Sequence, residues 1–285
     1  MAFPIIARLS FQMAPHCGGT LSTTRSYLRR AARRLANALP SGEKALALTT
    51  CGGFYYFPWP EDFTWSNNFS PTPADLRALE ASAEHQLWQL LTPSLLMELA
   101  AVTDFFSFGA DSWLAHPSTT REAKYRCELV GLLNLKTLQV HWTGKYYPTG
   151  NYQMRHLYRY SIIDSHFVFL NRRRTMLLGC HDLNLFSPRG MASEAEGGVR
   201  AKLRAEFLDC ASAFAPTIVL HHPHTTDSPR IWLGAIHQLQ HQLPSVSRFI
   251  SGINVYNDGN PPRGQWGDIL KSTTFGPSVI EVKLA

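Results

Sequence analysis

The sequence predicts an α/β fold: a mixed β-sheet with helices on both faces, open to a layered α-β-β-α arrangement. Three observations predict it. Short runs rich in β-branched and apolar residues recur, such as Thr217-Ile218-Val219-Leu220, and read as buried strands. In the second half these runs alternate with stretches of helical spacing, the pattern of a parallel α/β unit. The composition, 45% hydrophobic and 17% charged over 285 residues, supplies a large core and excludes a disordered chain. The expected organisation is one α/β domain over 1-285. It has a helical portion at about 20-101 and a β-rich, then α/β, portion at about 102-285.

Residues 3–13 read as a first strand. Thr23 or Thr24 can cap a helix from about Arg25 to Leu39, with Tyr27, Leu28, Ala31, Ala32, Leu35 and Leu39 on its apolar side. Arg25, Arg29 and Arg33 line another face, which fits either a phosphate-binding surface or a solvated one. Lys44 to Phe57 reads as a strand broken at Gly52-Gly53, a bulge or a place of close backbone approach. Residues 58–72 form a loop rich in proline and aromatics, a lid or an interaction surface.

Thr72-Pro73-Ala74-Asp75 opens a helix to about Leu91, with Leu76, Leu79, Ala83, Leu87 and Leu90 as its buried stripe. Thr92-Pro93-Ser94 opens another through Ala101, and Val102–Trp113 brings Asp104 and Asp111 towards a sheet edge. Strands are expected at Cys127–Leu135, Thr137–Trp142, His166–Leu170 and Arg174–Gly179, with Asn171-Arg172-Arg173 turning a hairpin. A helix from about Gly198 to Ala213 follows, then the strand at 217–220 and a helix from about Pro229 to Leu243. Strands at Ser247–Ser251 and Ser278–Leu284 complete the order.

The net charge of +6 favours an anionic partner or substrate, with nucleic acid among them. The aromatic loop 58–69 is the surface expected to meet a protein partner. No apolar run approaches the length of about 18 residues that a membrane helix needs. The five cysteines are unpaired by motif, which fits reduced thiols in a cytoplasmic protein.

Chemistry-bearing side chains gather at two predicted strand ends. One is Gly179-Cys180-His181-Asp182-Leu183-Asn184 and the other His221-His222-Pro223-His224-Thr225-Thr226-Asp227. Parallel strands bring their carboxyl ends to one rim, so the two segments are expected to converge. Imidazole and carboxylate together suit a divalent metal such as manganese, zinc or magnesium. Successive strand residues point to opposite faces, so His222 and His224 form the pair on one side. Asp182, His222, His224 and Asp227 are the candidate ligands. His181, Asp182, His222 and His224 are the candidate catalytic set, with Asn184, Lys145 and Arg189 as substrate contacts. The competing expectation is that these histidines cap the strand and bond to backbone carbonyls. A third possibility makes Cys180 a nucleophile with His222, His224 or His166 as base.

The order Gly-Cys-His-Asp, helix, strand ending in His221-His222-Pro223, helix, strand ending in Ser251-Gly252-Ile253-Asn254 resembles the C-terminal half of calcineurin-like metallophosphoesterases. On that resemblance His181, Asp182 and His222 match the family's motifs, and Asn254 stands near an expected histidine. The family's final histidine pair and its early Asp-x-His are absent. The resemblance implies a metal-dependent phosphoesterase acting on a nucleotide or nucleic acid. The alternatives are a non-catalytic protein- or nucleic-acid-binding subunit and a Cys-His hydrolase using Cys180.

Overall fold

Two sheets lie face to face, and helices cover the outer side of each. The computed structural model describes residues 3–11, 20–60, 70–115, 124–188, 198–224, 229–254 and 264–284. In chain order the first elements are β1 (Ile6–Phe11), α1 (Leu21–Ala38), β2 (Ala45–Thr49), β3 (Tyr55–Tyr56), α2 (Pro73–Leu90) and α3 (Pro93–Val102). Next come β4 (Thr103–Ala115), β5 (Lys124–Asn134), β6 (Val140–Gly144), α4 (Asn151–His156), β7 (Leu157–Tyr158), β8 (Phe167–Leu170) and β9 (Arg173–Gly179). The last are α5 (Val199–Phe214), β10 (Ile218–His222), α6 (Pro229–Gln242), β11 (Arg248–Ser251), β12 (Ile253–Asn254), α7 (Trp266–Ser272), β13 (Thr274–Phe275) and β14 (Val279–Leu284).

The first sheet runs β12-β1-β2-β4-β5-β6, with β14 beside β1, β3 beside β4 and β7 beside β5. The second runs β13-β11-β10-β9-β8, and its three central strands are parallel. The α-β-β-α layering is visible in the core. Ile6, Leu46, Phe105 and Leu132 of one sheet pack on Leu177, Ile218, Leu220 and Ile250 of the other. Helices α1, α2 and α3 cover the outer face of the first sheet, and α5 and α6 that of the second. Each large aliphatic side chain buried this way contributes about 1.5–3 kcal/mol.

Local signals set the helices. Thr72 and Asp75 form a reciprocal capping box on α2, whose buried stripe is Leu76, Leu79, Ala83, Leu87 and Leu90. Helix α1 starts earlier than the sequence suggests. Thr20, not Thr23 or Thr24, accepts the capping bond, and Thr24 lies buried within the first turn. The arginine face of α1 meets its neighbours. Arg25 donates to the carbonyls of Gln89 and Leu90 at the end of α2, and Arg29 reaches Ser94 and Glu98. These guanidiniums satisfy helix-end carbonyls that have no partner within the helix.

Two features place the site. Asn171 and Arg172 both take positive φ and turn the β8–β9 hairpin, which aims β9 at its carboxyl end. At Gly252 the chain crosses from the second sheet (β11) to the first (β12). A side-chain carbon there would stand 2.0 Å from the Thr50 backbone, so only glycine lets the two rims approach so closely. Among the described residues no helix is long and apolar enough to cross a membrane.

Candidate active site

The carboxyl ends of β9, β10 and β11 form one rim, and those of β2 and β6 with the second half of β4 form the facing rim. They are joined directly. Gly52 N–H donates to the Pro223 carbonyl at 2.9 Å. His222 donates through Nδ1 to the Thr50 carbonyl at 2.7 Å and accepts at Nε2 from Ser107 Oγ at 2.9 Å. The neighbouring His221 points the other way. It donates to the Cys180 carbonyl at 2.9 Å and accepts from Ser251 Oγ at 3.0 Å. Burial pushes His222 down to about 3 and His221 down to about 4, so both are neutral struts of the fold.

Cys180 stands one residue past β9 and is almost fully buried. Its Sγ accepts from the His224 backbone N–H at 3.3 Å. The rings of His181 and His224 lie within hydrogen-bonding reach of the thiol. Burial pushes the thiol up, but the charge and hydrogen bonds of these two imidazoles outweigh it and hold the thiol well below the usual range.

Two charge pairs flank the sulfur. His224 Nε2 meets Asp111 Oδ2 at 2.6 Å, and the ring lies against Gly52-Gly53. Burial disfavours the imidazolium, yet Asp111, Cys180 and Glu128 together hold His224 well above its ordinary value. On the other side Lys145, fully buried, pairs with Glu128 at 3.0 Å and donates to His181 Nδ1 at 2.9 Å. Burial pushes Glu128 up, but Lys145, His224, Arg126 and His181 bring it far below the carboxylate range. Asp111 and Glu128 are direct neighbours across β4 and β5. Being register partners, the two carboxylates project from the same face of the sheet.

Asp182 holds the frame. One carboxylate oxygen accepts from the N–H groups of Tyr146 and Tyr147 at 3.0 and 2.7 Å, and the other accepts from Gly179 at 2.9 Å. This ties the end of β9 to the segment after β6, and so fixes Cys180 relative to Lys145. Burial pushes Asp182 up to about 6 against those three donors. Asn184, half-buried, lies in the 3-10 turn Asp182–Leu185; its carbonyl and that of Leu185 accept from Arg204 of α5. Arg189, Asp227 and residues 61–69 of the aromatic loop lie outside the described residues.

The two strand-end segments therefore do meet, but around a thiol. Of the expected histidines, His181 and His224 face Cys180, whereas His222 is locked between the sheets. Glu128 was missed. Its signal was a charged residue inside the apolar run Cys127–Leu135, which a buried strand tolerates only when the charge is paired.

No family model and no curated protein matches the sequence. Solved structures do match by fold. The crystal structure of an amidase from Nesterenkonia sp. aligns at a TM-score of 0.50 and 11% identity, covering 93% of this chain and 86% of that one. A variant of the amidase from Nesterenkonia sp. AN1, in which acrylamide has added to the active-site cysteine, aligns at 0.50 and 11% identity over 91% and 86%. An alanine-for-cysteine variant of the AN1 amidase, described as from the nitrilase superfamily, gives 0.50, 11%, 93% and 86%. The likeness is one of fold.

It overturns the resemblance to calcineurin-like metallophosphoesterases, since the fold shared over nine-tenths of the chain is that of a cysteine amidase. The metal-dependent phosphoesterase or nuclease, and its divalent metal, fall with it. The physical reason lies in the expected ligands. Asp182 is saturated by three backbone donors, and both nitrogens of His222 are engaged. Among the described residues no group of three or more His, Cys, Asp or Glu is arranged to hold a metal ion. Gly-Cys-His-Asp and His-His-Pro share strand-end positions with that family, not side-chain roles.

Proposed function

We propose that this chain is a cysteine hydrolase of amide-type C–N bonds, with Cys180 as the nucleophile. One observation carries it: a buried thiol at the joined rims, touched by two imidazoles and flanked by the Asp111–His224 and Glu128–Lys145 pairs. The amidase that shares the fold supports it, because that protein is described with adducts on its active-site cysteine. A thiolate attacks the amide carbonyl, a thioester forms as the amine leaves, and water regenerates the thiol. Lys145 holds the His181 ring through Nδ1 at 2.9 Å, which fixes that ring beside the thiol. Asp182 is a positioning residue that sets Cys180 against Lys145. Cys51, Cys127 and Cys210 are free thiols as well, which fits a reducing, cytoplasmic setting.

The test is ammonia release from small primary amides, with intact-protein mass after treatment with iodoacetamide. The expected result is one fast adduct at Cys180 and turnover that falls at least 1,000-fold, on the order of magnitude lost with a triad nucleophile, in Cys180→Ala. Turnover that persists in Cys180→Ala overturns the proposal.

A further inference from the structure

We propose that His224, oriented by Asp111, is the general acid and base for Cys180, and that Glu128 is instead the fixed counter-charge of Lys145. This deepens the cysteine-hydrolase proposal and rests on it. Three features of the geometry point to this division of labour.

First, the two carboxylates are used differently. Glu128 is buried, its Oε2 lies 3.0 Å from Lys145 Nζ, and its Oε1 lies 3.5 Å from Arg126. A carboxylate between two cations has little basicity to offer a reacting group. Among the described residues Asp111 has one hydrogen-bonding partner, His224. Its Oδ1 is buried with none among the described residues, so its charge is directed at the ring.

Second, His224 has what a proton carrier needs. Its Nε2–H is committed to Asp111 at 2.6 Å, which leaves Nδ1 as the atom that gains and loses a proton. Its backbone N–H touches Sγ at 3.3 Å, so ring and sulfur are held in fixed relation. The side chain is 27% exposed, enough for water to reach it, whereas Asp111, Glu128 and Lys145 are sealed. Nδ1 lies 3.9 Å from Glu128 Oε2, close enough for the charge to act and too far for a hydrogen bond.

Third, Gly52 and Gly53 make room for the ring. A side-chain carbon at Gly52 would stand 3.0 Å from Nδ1 and Cε1, and one at Gly53 would stand 3.1 Å from Cδ2 and 3.2 Å from Asp111 Oδ2. The backbone between β2 and β3 is shaped to admit this dyad.

The steps balance. The resting pair is the Cys180 thiolate and the His224 imidazolium. Sulfur bonds to the amide carbon as the carbonyl π pair moves to oxygen. The C–N bond breaks as His224 Nδ1–H protonates the leaving nitrogen, giving thioester, amine and neutral imidazole. Loss of the thiolate charge lowers the imidazole's affinity for its proton, while Asp111 and Glu128 continue to favour its protonated form. It takes a proton from water as the oxygen bonds to the thioester carbon and the C–S bond breaks. Acid product, thiolate and imidazolium result.

The test uses the full chain and follows the rate of iodoacetamide alkylation at position 180 against pH, beside amide turnover. The charged groups facing the pair are Asp111 from β4, Glu128 and Arg126 from β5, Lys145 after β6, and His181 after β9. In the wild type the thiolate inflection lies well below the free-thiol value of about 8.5. His224→Gln is expected to move it up by at least one pH unit, with alkylation at least 10-fold slower at pH 6 and unchanged at pH 10. Turnover then falls at least 100-fold, within the range for an acid–base group. Asp111→Asn is expected to move the inflection the same way by less, and it gives the same answer without touching the ring. Glu128→Gln is expected to leave the inflection in place or lower it. An unmoved profile in both His224→Gln and Asp111→Asn, or the upward move appearing in Glu128→Gln, overturns this inference. Turnover surviving in Cys180→Ala would overturn the nucleophile itself, a separate outcome.

Discussion

At the scale of single residues the site is set by close approaches as much as by reactive groups. Gly53 has φ +58°, a conformation that side chains rarely adopt, and its Cα faces both members of the Asp111–His224 pair. Gly53→Ala is therefore expected to lower turnover at least 10-fold by displacing the ring. Its stability cost is about 1–2 kcal/mol from backbone strain. Kinetics and urea melts on the same sample check both. A variant that keeps full turnover would show that the ring tolerates displacement. Cys180, His181, Asp182, His224 and Lys145 were all legible as candidates because each follows an apolar run. Their roles were not legible. Whether an imidazole faces a thiol or a carbonyl depends on the strand opposite, and Thr50 and Ser107, which engage His222, lie more than a hundred residues away.

At the scale of elements, the turn Asn171-Arg172 presents β9 and with it Cys180. Both residues have positive φ, 44° and 68°, as a two-residue turn between right-twisted strands requires. Arginine has a side chain that disfavours this region, and glycine does not. Arg172→Gly is expected to raise the urea midpoint by an amount worth up to about 1 kcal/mol with activity unchanged. A lower midpoint would mean that the arginine side chain contributes more than its backbone costs. Helices such as α2 were readable because a cap and a buried stripe are written within twenty residues of each other. Strand existence was readable for the same local reason. Strand partnership was not: β1 lies between β2 and β14, and no short-range pattern joins Ile6 to Val279.

At the scale of the whole molecule, buried neutral histidines clip the two sheets together and tie strand to strand. Burial holds His222 at about 3, and His221 and His166 at about 4. In the unfolded chain each takes up a proton near pH 6.5, which the folded state refuses until the pH is far lower. Their stabilisation is thus complete above about pH 6.5 and lost as pH falls through that value towards 4. Asp182, raised to about 6, works against them over part of the same window. Asp111 and Glu80, also raised by burial, oppose the histidines in the same sense as Asp182, and each histidine that protonates only in the unfolded chain contributes a slope of about 1.4 kcal/mol per pH unit. Thermal melts at pH 7 and pH 5 should show a large fall in Tm, and a flat response would mean that the histidines titrate in the fold. The raised His224 acts oppositely, giving stability that is present below pH 6.5 and lost as pH rises through its elevated folded-state value.

The pairing of β1 with β14 has a further consequence. Arg8, buried in β1, finds its counter-ion in Glu281, and Ser10 bonds the same carboxylate. The two partners stand 273 residues apart in the chain. In vectorial synthesis this guanidinium has no carboxylate to meet until residue 281 has emerged. The seam between β1 and β14 therefore closes late, long after β1 itself has been made.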